Sequence, residues 1–246
     1  VDAAKRSGAA IRVFPHNHLG KLERLLASAK GRVLVVTESV FSMDGDRALL
    51  AEIVALKEKH GAWLLLDEAH AFGVLGPQGR GLAAELGLEN RVELQMGTLS
   101  KAAGLSGGYV AASRAVIDWL INRARSFIYS TAPPPFLAHA ARVAVELMLG
   151  AEGEQRRRRL RENTALFREL VGMTEETFSS PIVPVIVGGE QKAVAISEQL
   201  RREGFWIPAI RYPTVARGAA RLRVTLSALH QEPGISALAG RLRALL

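Results

Sequence analysis

The sequence predicts an α/β fold: a mostly parallel sheet with helices on both faces, followed by a small α+β domain. Three observations carry this. Short, continuous apolar runs rich in β-branched residues alternate with helix-period stretches before residue 150, the pattern of parallel strands covered by helices. Polar residues stand at or just past the ends of those runs. After about residue 180 the alternation changes, and the strands carry prolines and charges. The boundary falls near 150, giving a large domain over 1–150 and a small one over 151–246.

In order, residues 1–17 are a polar lead-in with a strand-like Ile11-Arg12-Val13-Phe14. Leu19, Leu22, Leu25 and Leu26 recur at helical spacing. The run Arg32–Thr37 reads as a buried strand that ends in Glu38–Asp46, where Asp44-Gly45 marks a turn. A helix follows from about Leu49 to His60. Ala62–Leu66 is a second buried strand and stops at Asp67. The glycine-rich segment 73–81 leads into a short helix near 82–86, and Val92–Met96 is the strand that precedes Lys101.

Tyr109–Ala112 reads as a further strand. Ser113 is placed as an N-cap, opening a helix that buries Val116, Ile117, Leu120, Ile121 and Ala124 and runs to about Ile128. Pro133-Pro134-Pro135 begins a long helix that continues past Arg161. In the second part, Ile182–Val187 contains Pro184 and is therefore an edge strand. Ala193–Glu203 is a helix, Phe205–Ile210 and Leu222–Ser227 are strands, and Gly234–Leu245 is the closing helix.

Composition excludes several function classes. With 48% hydrophobic and 23% charged residues the chain is an ordinary globular one. No cysteine is present, so disulfide frameworks and thiolate metal centres are out, as fits a cytoplasmic protein. No apolar run approaches the roughly 20 residues that span a bilayer. The net charge of +8 raises a nucleic-acid partner. The arginines are scattered, however, apart from Arg156–Arg159, and that tract sits in a polar helical stretch without the interleaved aromatics that stack bases. A basic enzyme with anionic ligands fits better, with neither nucleic acid nor membrane as partner.

The chemistry-bearing candidates gather at strand ends. Lys101 lies between small residues, Gly97-Thr98-Leu99-Ser100 before it and Ala102-Ala103-Gly104 after. Close backbone, desolvation and nearby cations turn a lysine into a nucleophile toward carbonyls. Asp67-Glu68-Ala69-His70 has the form of a helicase ATPase motif, but the phosphate loop that reading requires is absent, and the spacing is not that of a zinc hydrolase. Asp67 and Lys101 together suit pyridoxal phosphate instead. That cofactor needs a lysine to hold it and a carboxylate to keep its pyridine nitrogen protonated. In parallel sheets ligands sit beyond the carboxyl ends of the strands, where Ser42, Asp67 and Thr98 fall beside Lys101. For Asp67 and His70 a turn cap with a packed histidine is the competing explanation.

The motifs together are similar to those of the α-oxoamine synthase family of fold-type I pyridoxal phosphate enzymes, closest to its biotin-synthesis branch. The matching runs are Thr37–Asp46, Asp67–His70, Gly73–Gly76, Gly79–Gly81, Thr98–Lys101, Gly107–Val110, Arg125–Thr131, Tyr212–Val215 and Arg221–Ala228. The resemblance implies an aminotransferase-like large domain and a homodimer with sites at the interface. It implies catalytic roles for Lys101, Asp67 and His70. Lys101 would hold the cofactor and later move protons, and Asp67 would face the pyridine nitrogen. His70 and Ser42 would contact the ring's oxygen side and Thr98 the phosphate. Thr214 would lie at the substrate pocket, and Arg223 would hold an amino-acid carboxylate, for which an arginine's paired donors are suited. The implied reaction condenses alanine, or glycine in relatives, with an acyl thioester and loss of CO2. The acyl group is pimeloyl on coenzyme A or a carrier protein, which a basic surface would attract.

The first residues, Val1-Asp2-Ala3-Ala4, lack an initiator methionine and an apolar leader, and read as the interior of a longer chain. The family carries an earlier segment, with a glycine-rich stretch near the phosphate and a histidine stacked on the ring. None of His16, His18, His60, His70, His139 or His230 occupies that position. The resemblance therefore implies weak cofactor retention and poor activity for these 246 residues alone, and leaves a truncated, non-catalytic homologue as an alternative.

Overall fold

The computed structural model describes residues 2–173 and 178–246. Val1 lies outside them. The elements run α1 (Asp2–Arg6), α2 (Leu19–Ala27), β1 (Leu34–Glu38), α3 (Leu50–Lys59), β2 (Trp63–Asp67), α4 (Leu82–Glu85), β3 (Leu94–Thr98), β4 (Gly108–Ala112) and α5 (Arg114–Arg123). They continue with α6 (Arg125–Ile128), α7 (Pro135–Leu149), α8 (Ala151–Leu170), β5 (Ile182–Gly188), α9 (Glu190–Arg202), β6 (Ala209–Ile210), β7 (Ala220–Thr225) and α10 (Glu232–Leu245).

The first four strands form one sheet in the order β1-β2-β3-β4. Parallel pairing sets Glu38 opposite Asp67 and Asp67 opposite Met96, and β4 returns antiparallel with Gly108 opposite Thr98. The carboxyl ends of three strands are thereby brought into line. The second sheet is antiparallel, in the order β5-β7-β6, and Pro184 lies on an edge strand as expected.

Each sheet has its own apolar core. Leu22 and Leu26 of α2, Ile53 and Val54 of α3, and Leu64 and Leu66 of β2 bury together. Phe167 of α8, Leu200 of α9, Leu222 of β7 and Leu242 of α10 form the second cluster. Ile182 begins β5 yet packs in the first core, so the two sheets share a seam there.

Several elements differ from expectation. Residues 11–14 are not a strand, because among the described residues no neighbouring strand supplies hydrogen bonds. The helix after Ser113 has its N-cap, the Ser113 hydroxyl accepting from the Val116 N–H at 3.5 Å. It stops at Ala124, however, whose backbone is extended, and α6 restarts after it. Val116, Ile117, Leu120 and Ala124 are only half-buried and Ile121 is exposed. The long helix expected across 133–161 is two helices, broken at Gly150 by an extended backbone with φ −86° and ψ −176°. Of Phe205–Ile210 only the last two residues pair in the sheet. The strand before Lys101 is shifted toward it, ending at Thr98 rather than Met96. On β1 and β2, Leu34, Val36 and Trp63 are 49%, 56% and 51% exposed, so these strands bury alternate residues rather than all of them.

The basic tract is not wholly a solvated face either. Arg156 pairs with Glu152 at 2.7 Å on the surface, but Arg157 is buried, bonded to Met148 O at 2.8 Å and twice to Glu154. Among the described residues no helix is long and apolar enough to cross a membrane.

Candidate active site

Asp67 ends β2, flanked by Glu38 on β1 and Met96 on β3. Its carbonyl accepts from both the N–H (2.8 Å) and the hydroxyl (3.1 Å) of Ser39, and Glu68 N donates to Met96 O at 2.7 Å. The backbone on either side of the Asp67 carboxylate is therefore held by neighbouring strands. One carboxylate oxygen accepts the Ala69 N–H at 2.8 Å, which is the turn-capping role anticipated as an alternative. The buried Glu68 beside it accepts from the N–H groups of Leu82 and Ala83 at 3.0 and 2.9 Å, anchoring the start of α4.

Lys101 sits three residues past β3 in a closed loop. Leu99 N bonds Gly107 O at 2.9 Å, Leu105 N bonds Leu99 O at 2.8 Å, and Gly104 N bonds Lys101 O at 3.0 Å. The Thr98 hydroxyl donates to Gly107 O at 3.0 Å and lies 2.7 Å from the Ser100 hydroxyl. Thr98 thus shapes the loop that carries Lys101. Burial lowers the Lys101 pKa, the carboxylates of Asp67 and Glu38 work against that, and Arg223 adds to the lowering.

His70 and Lys101 line one cavity of about 510 Å³ with Arg223 from the second sheet. Burial, and then the positive charges of Lys101 and Arg223, pull the His70 imidazole down to about 4. It is neutral at physiological pH and able to donate or accept one hydrogen bond on each nitrogen. Arg223 is half-buried, and its Nε donates to Ser42 O at 2.6 Å and Nη1 to the Thr225 hydroxyl at 3.0 Å. Burial lowers its pKa too.

Ser42 and the exposed Thr214 line a second, smaller cavity of about 250 Å³ with Glu38 and Arg221. The structure therefore brings Lys101, His70 and Arg223 to one cavity, couples Asp67 to Lys101 electrostatically, and sets Ser42 and Thr214 next door. Thr98 lines neither.

Glu38 escaped sequence reasoning. Its carboxyl is raised by burial and by Asp67, and it accepts the Ser42 N–H at 3.0 Å. It lines the smaller cavity, and its charge is felt by Lys101. The available signal was its place as the last residue of a strand whose neighbour ends in Asp67.

Residues 1–242 match the aminotransferase class I and II family. The chain is 46% identical over 249 residues to an 8-amino-7-oxononanoate synthase of Janthinobacterium sp., covering 100% of this chain and 63% of that protein. It is 48% identical over 237 residues to the synthase of Geobacter sulfurreducens, covering 94% and 61%. Among solved structures, a serine palmitoyltransferase from S. paucimobilis superposes with a TM-score of 0.92 at 31% identity, covering 99% of this chain and 63% of that one. The 8-amino-7-oxononanoate synthase of Francisella tularensis gives 0.82 at 28%, covering 99% and 70%. The chain spans less than two thirds of the length of the curated relatives named here.

Proposed function

Because this chain belongs to the aminotransferase class I and II family, we propose that it binds pyridoxal phosphate and condenses L-alanine with a pimeloyl thioester, losing CO2, to form 8-amino-7-oxononanoate in biotin biosynthesis. The observation that carries the reading is the cavity itself, which Lys101 lines with His70 and Arg223, the lysine sensing the Asp67 carboxylate. The similarity of 94–100% of the chain to 8-amino-7-oxononanoate synthases supports it.

The residues present suit that cofactor: an amine to hold it, a carboxylate for a ring nitrogen, and an imidazole held neutral to meet a phenolic oxygen. When bound, pyridoxal phosphate supplies an electron sink for the negative charge that develops on the amino acid's α-carbon. Lys101 would hold it covalently, and its Nζ, once displaced by the amino group of the substrate, would be free to take and return the α-proton. Partial desolvation favours the free amine this requires. Asp67 keeps a proton on the pyridine nitrogen, and its fixed backbone spares reorganisation. His70 and Ser42 would meet the ring's oxygen side, and Thr98 the phosphate end. Arg223, with two of its nitrogens already engaged by Ser42 and Thr225, presents the rest of its guanidinium to the substrate carboxylate. Thr214 borders the substrate pocket.

We take residues 1–150 as the cofactor-binding domain and 151–246 as the small domain, supported by two sheets with separate cores. The working form is a homodimer in the cytoplasm, with amino acid and acyl thioester as its partners.

A second reading, another α-oxoamine synthase joining a different amino acid to another acyl-CoA, is favoured by the serine palmitoyltransferase likeness. Borohydride reduction with added pyridoxal phosphate, followed by peptide mapping, tests the site. A pyridoxyl adduct on Lys101 is expected, and one only at other lysines overturns the assignment. Turnover of alanine with pimeloyl thioester, against glycine or serine with other thioesters, separates the two readings.

A further inference from the structure

Strand β7 carries two arginines on one face. Residues two apart on a strand point the same way, and Arg221 and Arg223 both reach out of the second sheet onto the turn after β1. Arg223 Nε takes Ser42 O at 2.6 Å, Arg221 Nη1 takes Met43 O at 3.3 Å, and Arg221 closes on the Asp44 carboxylate. Three consecutive residues of one sheet's loop are thus gripped by one strand of the other. The turn is tied back to the site by the Ser42 N–H, which donates to Glu38 at 3.0 Å, at the strand end opposite Asp67. Arg221 is 7% exposed and its Nε is also bonded, to Ala219 O at 3.2 Å. A guanidinium this buried is held in one orientation, and losing its carboxylate leaves a charge that must find another partner.

We infer that Arg221 is a positioning residue: through Asp44 it fixes the turn at Ser42–Asp44 against β7 and so sets the direction in which Arg223 presents its guanidinium to a carboxylate-bearing ligand. Arg221 does not line the cavity of Lys101, only the smaller one beside Ser42 and Thr214, and it acts through Arg223 and the turn. The inference rests on the proposed role of Arg223. It adds that carboxylate recognition belongs to a four-residue unit spanning both sheets, Ser42, Asp44, Arg221 and Arg223.

The test compares two ligands on the chain loaded with pyridoxal phosphate: L-alanine, and L-alaninamide, which lacks the carboxylate. Binding is followed by calorimetry. Arg223→Gln is expected to abolish the preference for alanine. Arg221→Gln and Asp44→Asn are expected to weaken alanine binding by about tenfold, the size of one lost charge-assisted hydrogen bond from a buried guanidinium to a carboxylate at the surface, with alaninamide binding unchanged. Arg221→Lys keeps the charge and restores part of the preference. If Arg221→Gln fails to fold, Asp44→Asn carries the test, since an amide of the same shape leaves the Met43 contact in place. Equal weakening of both ligands marks a merely structural role and overturns the inference. A preference retained in Arg221→Gln and Asp44→Asn but lost in Arg223→Gln also overturns it, with the reading of Arg223 intact. A wild-type chain indifferent to the carboxylate, or a preference that survives Arg223→Gln, overturns the reading and the inference with it.

Discussion

Replacing Gly45 by alanine is expected to destabilise the chain at the point where the two sheets meet. Gly45 has a φ of +72°, and an added Cβ would stand 2.2 Å from Ile182 O, 3.0 Å from its carbonyl carbon and 3.1 Å from its Cβ. A left-handed conformation costs a residue with a side chain roughly 1–2 kcal/mol, and overpacking against fixed neighbours adds about 1–3 kcal/mol. The neighbour here is fixed. Ile182 is buried in the first core, its N–H donates to the Ser180 hydroxyl at 3.2 Å, and that hydroxyl donates to Gly45 O at 2.7 Å. The summed loss is about 2–5 kcal/mol. Gly61→Ala is the control, because Gly61 has a φ of +63° and nothing within 4 Å of an added Cβ. It carries the conformational cost alone. Urea denaturation should move the midpoint further for Gly45→Ala than for Gly61→Ala at unchanged slope. Equal midpoints for the two variants would refute the claim that the β5 backbone rigidly abuts this turn.

Two further outcomes follow from the site's buried groups. Removing the Glu68 carboxylate with Glu68→Ala orphans the N–H groups of Leu82 and Ala83 and is expected to cost about 2–3 kcal/mol. Thermal unfolding checks this, and a Tm equal to the wild type's would show that water replaces the carboxylate freely. His70 titrates at about 4 when folded, below its ordinary 6.5. As pH falls through this window the unfolded chain takes up the proton first, so this contribution is intact above 6.5 and stability is lost toward 4. Because His70 is only half-buried, the slope should be well under the roughly 1.4 kcal/mol per pH unit of a fully coupled proton. Unfolding measured from pH 7 to 4.5 should flatten in His70→Gln, and an unchanged slope would place the acid sensitivity elsewhere.

The main strands and helices were legible because their apolar periodicities are strong. Leu22 and Leu26 bury at the helical spacing their pattern announces, and β1 and β2 form where their apolar runs stand, although only alternate residues of each are buried. The misreadings share one cause, which is that local pattern does not report what lies opposite. Ile11–Phe14 has strand composition but no pairing partner. Ile121 has the spacing of a core residue but faces solvent. Gly150 sits in a continuous helical pattern, yet the chain turns there so that α8 can lie against both α7 and α10. At the site, Lys101, Asp67 and His70 were visible because a strand end followed by glycines is a local signal. Glu38 was not, because its importance comes from register alone.

Two things were therefore determined by the sequence itself. One is the chemistry available, a lysine, a carboxylate and an arginine in recognisable runs. The other is the alternation that forces a parallel sheet and puts Asp67 and Thr98 on the same edge. Tertiary structure decided which of these groups share a cavity. It joined Arg223 to Lys101 and His70, and drew Arg221 and Arg223 onto the Ser42–Asp44 turn from about 180 residues away in sequence. It also set the state of His70. Its low pKa comes from burial and from two cations, and one of those, Arg223, lies on the other sheet. Proton affinities and ion pairs depend on distance and dielectric, which no spacing along the chain encodes.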